Sequence, residues 1–127
     1  MSDEEAWYGF DLDGTLAASS PGEHAGTTNI GTPVPGMINI VKLYLSQGKK
    51  CKIMTARANR AQRDNEPEII TAIEKWCLEH IGQVLEVTCV KTGAMKELWD
   101  DRAISVLRNT GKCVRYNSDG GISQYNI

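Results

Sequence analysis

The chain has 127 residues, 14 Lys+Arg against 16 Asp+Glu and 41% apolar residues, which suits one compact domain over residues 1–127 and leaves no room for a second. A formal charge of −2 lacks the basic excess of a protein that grips nucleic acid through its phosphates, which excludes a tightly held electrostatic partner but not a nucleic-acid substrate. No apolar run approaches the roughly 20 residues of a membrane span, and Met1-Ser2-Asp3-Glu4-Glu5 is acidic where a signal peptide is basic, so a cytoplasmic location is expected.

Short β-rich runs alternate with helical patterns, the signature of a parallel α/β sheet. Ala6 to Leu12 reads as the first strand, and Ala17 to Gly36, rich in Ser, Pro, Gly and Thr, as a long loop with room for a small hairpin. Met37 to Gln47 gathers Met37, Ile38, Ile40, Val41, Tyr44 and Leu45 on one helical face, with Gly48 as C-terminal cap. Cys51 to Met54 is a buried strand leading into Thr55-Ala56-Arg57. The next helix is expected to start with Asn65 as N-cap, Pro67 in its first turn and Glu68 completing a capping box, and to bury Ile69, Ile70, Ile73, Trp76, Cys77 and Ile81 before Gly82 stops it.

Val84 to Val90 reads as a third strand, Glu97 to Trp99 as a fourth, and Cys113 to Tyr116 as a fifth, with a short helix over Ala103 to Arg108. About half a dozen residues separate strands three and four, too few for an ordinary parallel crossover. Either the third strand is displaced or the two are not parallel neighbours. Asp119-Gly120 is a hairpin signal that would pair Ile122 to Tyr125 with the fifth strand. Cys51, Cys77, Cys89 and Cys113 are widely spaced, form no Cys-x-x-Cys pair and are expected to be reduced core residues; no zinc site is expected, because His24 and His80 lie near none of them.

Chemistry concentrates where strands end. Phe10-Asp11-Leu12-Asp13-Gly14-Thr15-Leu16 sets two carboxylates two positions apart as a hydrophobic strand gives way to a glycine turn. Period-2 geometry points both to one side, at the end of the strand where open α/β sheets collect ligands. Like charges this close drive their pKa values apart, so one carboxyl stays ionised while the other carries a proton. That division suits phosphoryl transfer in which Asp11 attacks phosphorus and Asp13 protonates the leaving group, then activates water.

Asp11, Asp13, Gly14 and Thr15 match the first motif of the haloacid dehalogenase superfamily of phosphatases, which the sequence resembles. The resemblance implies a Rossmann-like parallel sheet of about five strands flanked by helices, an aspartyl-phosphate intermediate on Asp11, an acid/base role for Asp13, whose backbone carbonyl also meets the metal, and Mg²⁺ as cofactor. Thr55 resembles the second motif, its hydroxyl and the N–H of Ala56 donating to a phosphoryl oxygen. The phosphate-binding lysine is expected at Lys91, which follows the third strand, in preference to Lys96, which falls roughly 13 Å below Asp100 at about 3.3 Å per residue. Leu98-Trp99-Asp100-Asp101-Arg102 resembles the last motif, with Asp100 the direct metal ligand and Asp101 orienting a metal-bound water. This run is also similar to the final motif of the phosphatase domain in phage-type polynucleotide kinase-phosphatases.

The segments from Asp13 to Thr55 and from Thr55 to Lys91 are filled by core elements, so no cap domain fits and the capless subgroup is the expected relative. That subgroup is often oligomeric, which makes a homo-oligomer part of the expectation. Glu23 and His24 in the long loop are the candidates for contacts beyond the phosphate, although a surface role suits His24 better. Arg57, Arg60 and Arg63 could grip a second anionic group or form a solvated helix approach, the commoner use. The leading expectation is a Mg²⁺-dependent phosphomonoesterase for a small metabolite such as a sugar phosphate or nucleotide. The alternatives are a 3′-phosphatase of DNA or RNA ends and a non-catalytic phosphate- or protein-binding module.

Overall fold

A computed structural model describes residues 4–19, 28–117 and 119–125. Four strands, β1 (Trp7–Phe10), β2 (Lys50–Met54), β3 (Glu86–Thr88) and β4 (Met95–Trp99), form a parallel sheet in the order β3-β2-β1-β4. Three helices, α1 (Pro35–Ser46), α2 (Ala56–Arg63) and α3 (Glu68–His80), fill the connections from β1 to β2 and from β2 to β3. The fold is therefore α/β, with a four-stranded parallel sheet. Tyr8 pairs with Cys51 and Phe10 with Ile53, and alternation turns these four to one face. They meet Ile38 and Val41 of α1, Ala61 of α2, and Ile69, Ile73, Trp76 and Cys77 of α3 in a single hydrophobic cluster. No helix among the described residues is long and apolar enough to cross a membrane.

Strands three and four turn out to be opposite edges of the sheet. The chain runs from β1 outward to β3, then returns past two strands to place β4 on the other side of β1. It does so without a helix. The crossing passes the start of β1, where the Trp7 indole donates to Thr92 Oγ1 at 2.9 Å and the Trp7 N–H donates to the Ala94 carbonyl at 3.1 Å. β4 is then fixed by aromatic packing. The Phe10 and Trp99 rings stack at 5.8 Å, Tyr44 of α1 meets both edge-on, and its hydroxyl donates to Glu97 Oε1 at 2.5 Å. Each such ring pair contributes about 0.5–1.5 kcal/mol beyond its buried area.

The expected helix caps fall differently. Gly48, at φ 77°, ends α1 in a Schellman motif: Lys49 N–H reaches the Tyr44 carbonyl and Gly48 N–H the Leu45 carbonyl. Asn65 does the same for α2, a helix absent from the expectation. At φ 52° it occupies the left-handed position, with Glu66 N–H on the Ala61 carbonyl at 2.9 Å and its own N–H on the Gln62 carbonyl. Asn65 is thus the end of α2 and not the N-cap of the following helix. Pro67 takes that cap position without a side-chain bond, so the capping box does not form. The buried stripe of α3 is as expected from its spacing for Ile69, Ile73, Trp76 and Cys77, and for Ile81 beyond its end, whereas Ile70 is only half-buried against the cluster.

The fifth strand does not join the parallel sheet. Cys113–Tyr116 (β6) lies between β5 (Ser105–Val106) and β7 (Ile122–Tyr125) in a separate antiparallel sheet. β5 replaces the short helix expected over Ala103 to Arg108, where the β-branched Ile104 and Val106 favour an extended chain. The expected hairpin is present: Tyr116 pairs with Ile122 and Asn117 N–H donates to the Gly121 carbonyl. The long loop closes on itself through bridges of Ala17 to Asp13 and to Pro33. Glu23 and His24 lie outside the described residues.

Candidate active site

The register of β1 and β4 builds the centre of the site. Phe10 pairs with Trp99, so the next residues, Asp11 and Asp100, leave adjacent strands at one level; Asp11 N–H extends the ladder to the Trp99 carbonyl at 2.9 Å. This is also where strand order reverses, the crevice in which open α/β sheets bind ligands. Asp101 arrives by a second device. The turn after β1 directs the N–H groups of Thr15, Leu16 and Ala17 to the Leu12 carbonyl. The Thr15 hydroxyl accepts from Asp101 N–H at 3.1 Å and donates to Asp101 Oδ1 at 3.2 Å. Gly14 stands between them at φ 87°, and a Cβ there would lie 2.7 Å from Asp101 Oδ2. Glycine is required at this position both for its backbone conformation and for the space Asp101 fills.

Asp11, Asp100 and Asp101 each offer a carboxylate oxygen, and these atoms lie within 4.8 Å of one another. Burial raises the Asp11 pKa to about 7, with the Asp100 charge and a hydrogen bond to Asp101 adding to the effect. The set is chemically suited to a hard divalent cation. Oxygens on opposite sides of Mg²⁺ are about 4.2 Å apart and those across Ca²⁺ about 4.8 Å. The oxygen triangle lies within the wider of these spans, and a shared cation would relieve the repulsion that burial and proximity create.

Asp13 is not part of this cluster. β1 ends at Phe10 and the chain turns before Asp13, so strand alternation no longer applies, and its carboxylate faces Arg57 instead. Arg57 donates from Nε to Oδ2 at 2.8 Å and from Nη2 to Oδ1 at 2.7 Å. Arg57 itself is only 4% exposed and gives Nη1 to the Asn29 carbonyl at 2.9 Å. Arg57, expected either to grip an anionic group or to form a solvated helix approach, is buried and engaged with Asp13 in a pairing that no linear pattern across 44 residues discloses. Arg60 and Arg63 are ion-paired with Asp64, and Arg60 also with Glu66, all through partly exposed side chains.

Thr55 directly follows β2 and caps α2, its Oγ1 accepting the Arg57 N–H at 3.2 Å. Accepting there leaves the hydroxyl proton to donate. Thr55 and Ala56 line a cleft of about 400 Å³ with Asp11, Asp13, Asp100, Asn59, Cys89 and Arg102. Sequence reading did not assign Asn59, Cys89 or Arg102 to the site. Asn59 lies one turn along α2 from Thr55, and Arg102 follows the second aspartate pair, where its backbone N–H donates to Asp100 Oδ1 at 2.8 Å. Cys51 and Cys77 are buried as expected, whereas Cys89 and Cys113 are only partly buried. Lys91 is exposed on the crossing and is not among the residues lining the cleft, and Lys96 sits in a register irregularity at the start of β4. Comparisons of the chain with protein-family models, with curated proteins and with solved structures return no match.

Proposed function

We propose that the protein is a phosphomonoester hydrolase of the haloacid dehalogenase type, without a cap domain and with a Rossmann-like core. The observation that carries this reading is the meeting of Asp11 with Asp100 and Asp101 at the point where strand order reverses, beside the Thr55 hydroxyl. Asp11 attacks phosphorus and forms an aspartyl-phosphate. Asp13 gives a proton to the departing oxygen and takes one from the water that later hydrolyses the intermediate. Thr55 and the Ala56 N–H donate to phosphoryl oxygens. Asp11, Asp100, Asp101 and the Asp13 backbone carbonyl would hold Mg²⁺, which supplies charge neutralisation for the phosphoryl group. Lys91 is proposed as the second positive charge, with Arg102, already at the cleft, as its competitor.

A small phosphorylated metabolite is the favoured substrate class, given the net negative charge. A 3′-phosphorylated nucleic-acid end is a second reading, supported by Arg102, Arg108, Lys112 and Arg115, which follow the acidic pair in a stretch whose one acidic side chain is Asp119. Release of p-nitrophenol from p-nitrophenyl phosphate tests the activity. We expect release with Mg²⁺ and loss of at least a hundredfold in Asp11→Asn. Equal rates in the two proteins would remove Asp11 from the mechanism. A panel of sugar phosphates, nucleotides and 3′-phosphorylated oligonucleotides then separates the substrate classes.

A further inference from the structure

Asp13 is the one carboxylate of the four whose two oxygens are both gripped by a buried cation. The Arg57 fork takes one lone pair from each oxygen, at 2.8 and 2.7 Å, and leaves the others for the cleft that Asp13 lines. Two anchors fix the fork. Its third nitrogen is held by the Asn29 carbonyl, and the Arg57 backbone N–H is held by Thr55 Oγ1 in the first turn of α2. A planar guanidinium bound at both ends defines the plane of its partner carboxylate, which the point charge of a lysine does not.

We propose that Arg57 is a positioning residue that aims the Asp13 carboxyl at the leaving-group oxygen, so that it governs which phosphate esters are cleaved fast. The inference rests on the phosphatase reading above. In the first half-reaction, which starts from enzyme whose Asp13 carries a proton on a lone pair that the Arg57 fork leaves open, the bond from Asp11 oxygen to phosphorus forms while the ester P–O bond breaks, and that proton moves to the departing alkoxide oxygen. In the second, water oxygen attacks phosphorus, its proton goes to Asp13, and the electron pair of the breaking P–O bond returns to Asp11. An aryl leaving group such as p-nitrophenolate departs with little need of that proton. An alkyl alcohol depends on it. The aim of Asp13 therefore matters in proportion to the basicity of the leaving group.

The test compares kcat and KM for p-nitrophenyl phosphate and for an alkyl monoester such as glycerol phosphate in the wild type, Arg57→Lys and Asp13→Glu. Arg57→Lys keeps the charge and removes the fork. Asp13→Glu keeps the acid and displaces it without touching Arg57. We expect each variant to lose about a hundredfold or more in kcat on the alkyl ester, less than about tenfold on the aryl ester, and to keep KM within a few-fold. Combining the two changes should add little to either loss, because they disturb one pairing. Equal losses on both esters, a rise confined to KM, or alkyl turnover at the wild-type level in Asp13→Glu would overturn the proposal. If Arg57→Lys does not fold, Arg57→Gln, which keeps a planar donor group and lacks the two-nitrogen fork, takes its place with the same expected losses. Failure of the phosphatase reading is recognised separately, by a wild type that cleaves neither ester.

Discussion

At the residue scale the site is governed by unequal treatment of similar groups. Asp13 has its counter-charge in Arg57, whereas Asp11 faces two further carboxylates from a partly buried position, and its pKa rises to about 7. The folded protein therefore keeps the Asp11 proton to higher pH than the unfolded chain, whose value is near 3.8. The contribution of this group to stability is expected to fall as pH rises from about 4 to about 7 and to flatten on either side. After allowance for partial exposure the loss is about 1–2 kcal/mol. Urea titrations across this range without divalent ions should show the decline, and Asp11→Asn should abolish it; an unchanged decline in the variant would assign it to other groups. Gly14→Ala is expected to destabilise by about 2 kcal/mol or more, from the left-handed backbone and the overlap with Asp101. Urea unfolding measures it, and a change below about 0.5 kcal/mol would contradict the packing described.

Both acidic stretches were readable in the sequence as residues that follow apolar runs, and the structure brings three of their four aspartates together. The Asp13–Arg57 pair was not readable, because the spacing of charged residues along a chain does not report which of them meet. A weak signal existed: an arginine directly after a buried strand and its capping threonine has little access to water, and a buried arginine needs a partner.

At the element scale, periodicity identified what apolar burial holds in place and missed what capping and pairing decide. The stripe of α3 was legible because Ile69, Ile73 and Cys77 are fully buried, the two isoleucines each contributing about 1.5–3 kcal/mol, which outweighs any cap. α2 was not, since its sequence buries only Arg57, Ala58 and Ala61 and so carries no apolar stripe. Its marks are the Thr55 cap and a run of strong helix formers. The small sheet escaped assignment to its proper layer because a strand names its own extended geometry but not its neighbour. β5, β6 and β7 contribute nothing to the main hydrophobic cluster, and Val106, Tyr116 and Ile122 are mostly exposed. Amide exchange in β6 and β7 should therefore be faster than in β1 and β2 by orders of magnitude. Comparable protection of the two sheets would show that they open together.

At the scale of the whole molecule, the decisive feature is the return of the chain to the far side of β1 after only a short crossing. A sequence reader sees the shortage of residues between β3 and β4 and can infer that they are not simple parallel neighbours. The strand order itself depends on which edges are left open, and no local pattern encodes that. The order puts β1 between β2 and β4, so that Asp11 has Thr55 on one side and Asp100 on the other.

That arrangement also sets a sequence of events for a chain leaving the ribosome. β1, β2 and β3, with their three helices, can come together before Met95 has emerged from the ribosomal tunnel, and at that stage Asp11 has not yet met Asp100 and Asp101. The electrostatic conflict arises only when the last parallel strand docks. A cation that bridges these side chains would then act on the final closing step of assembly, leaving the earlier collapse of the core indifferent to its presence.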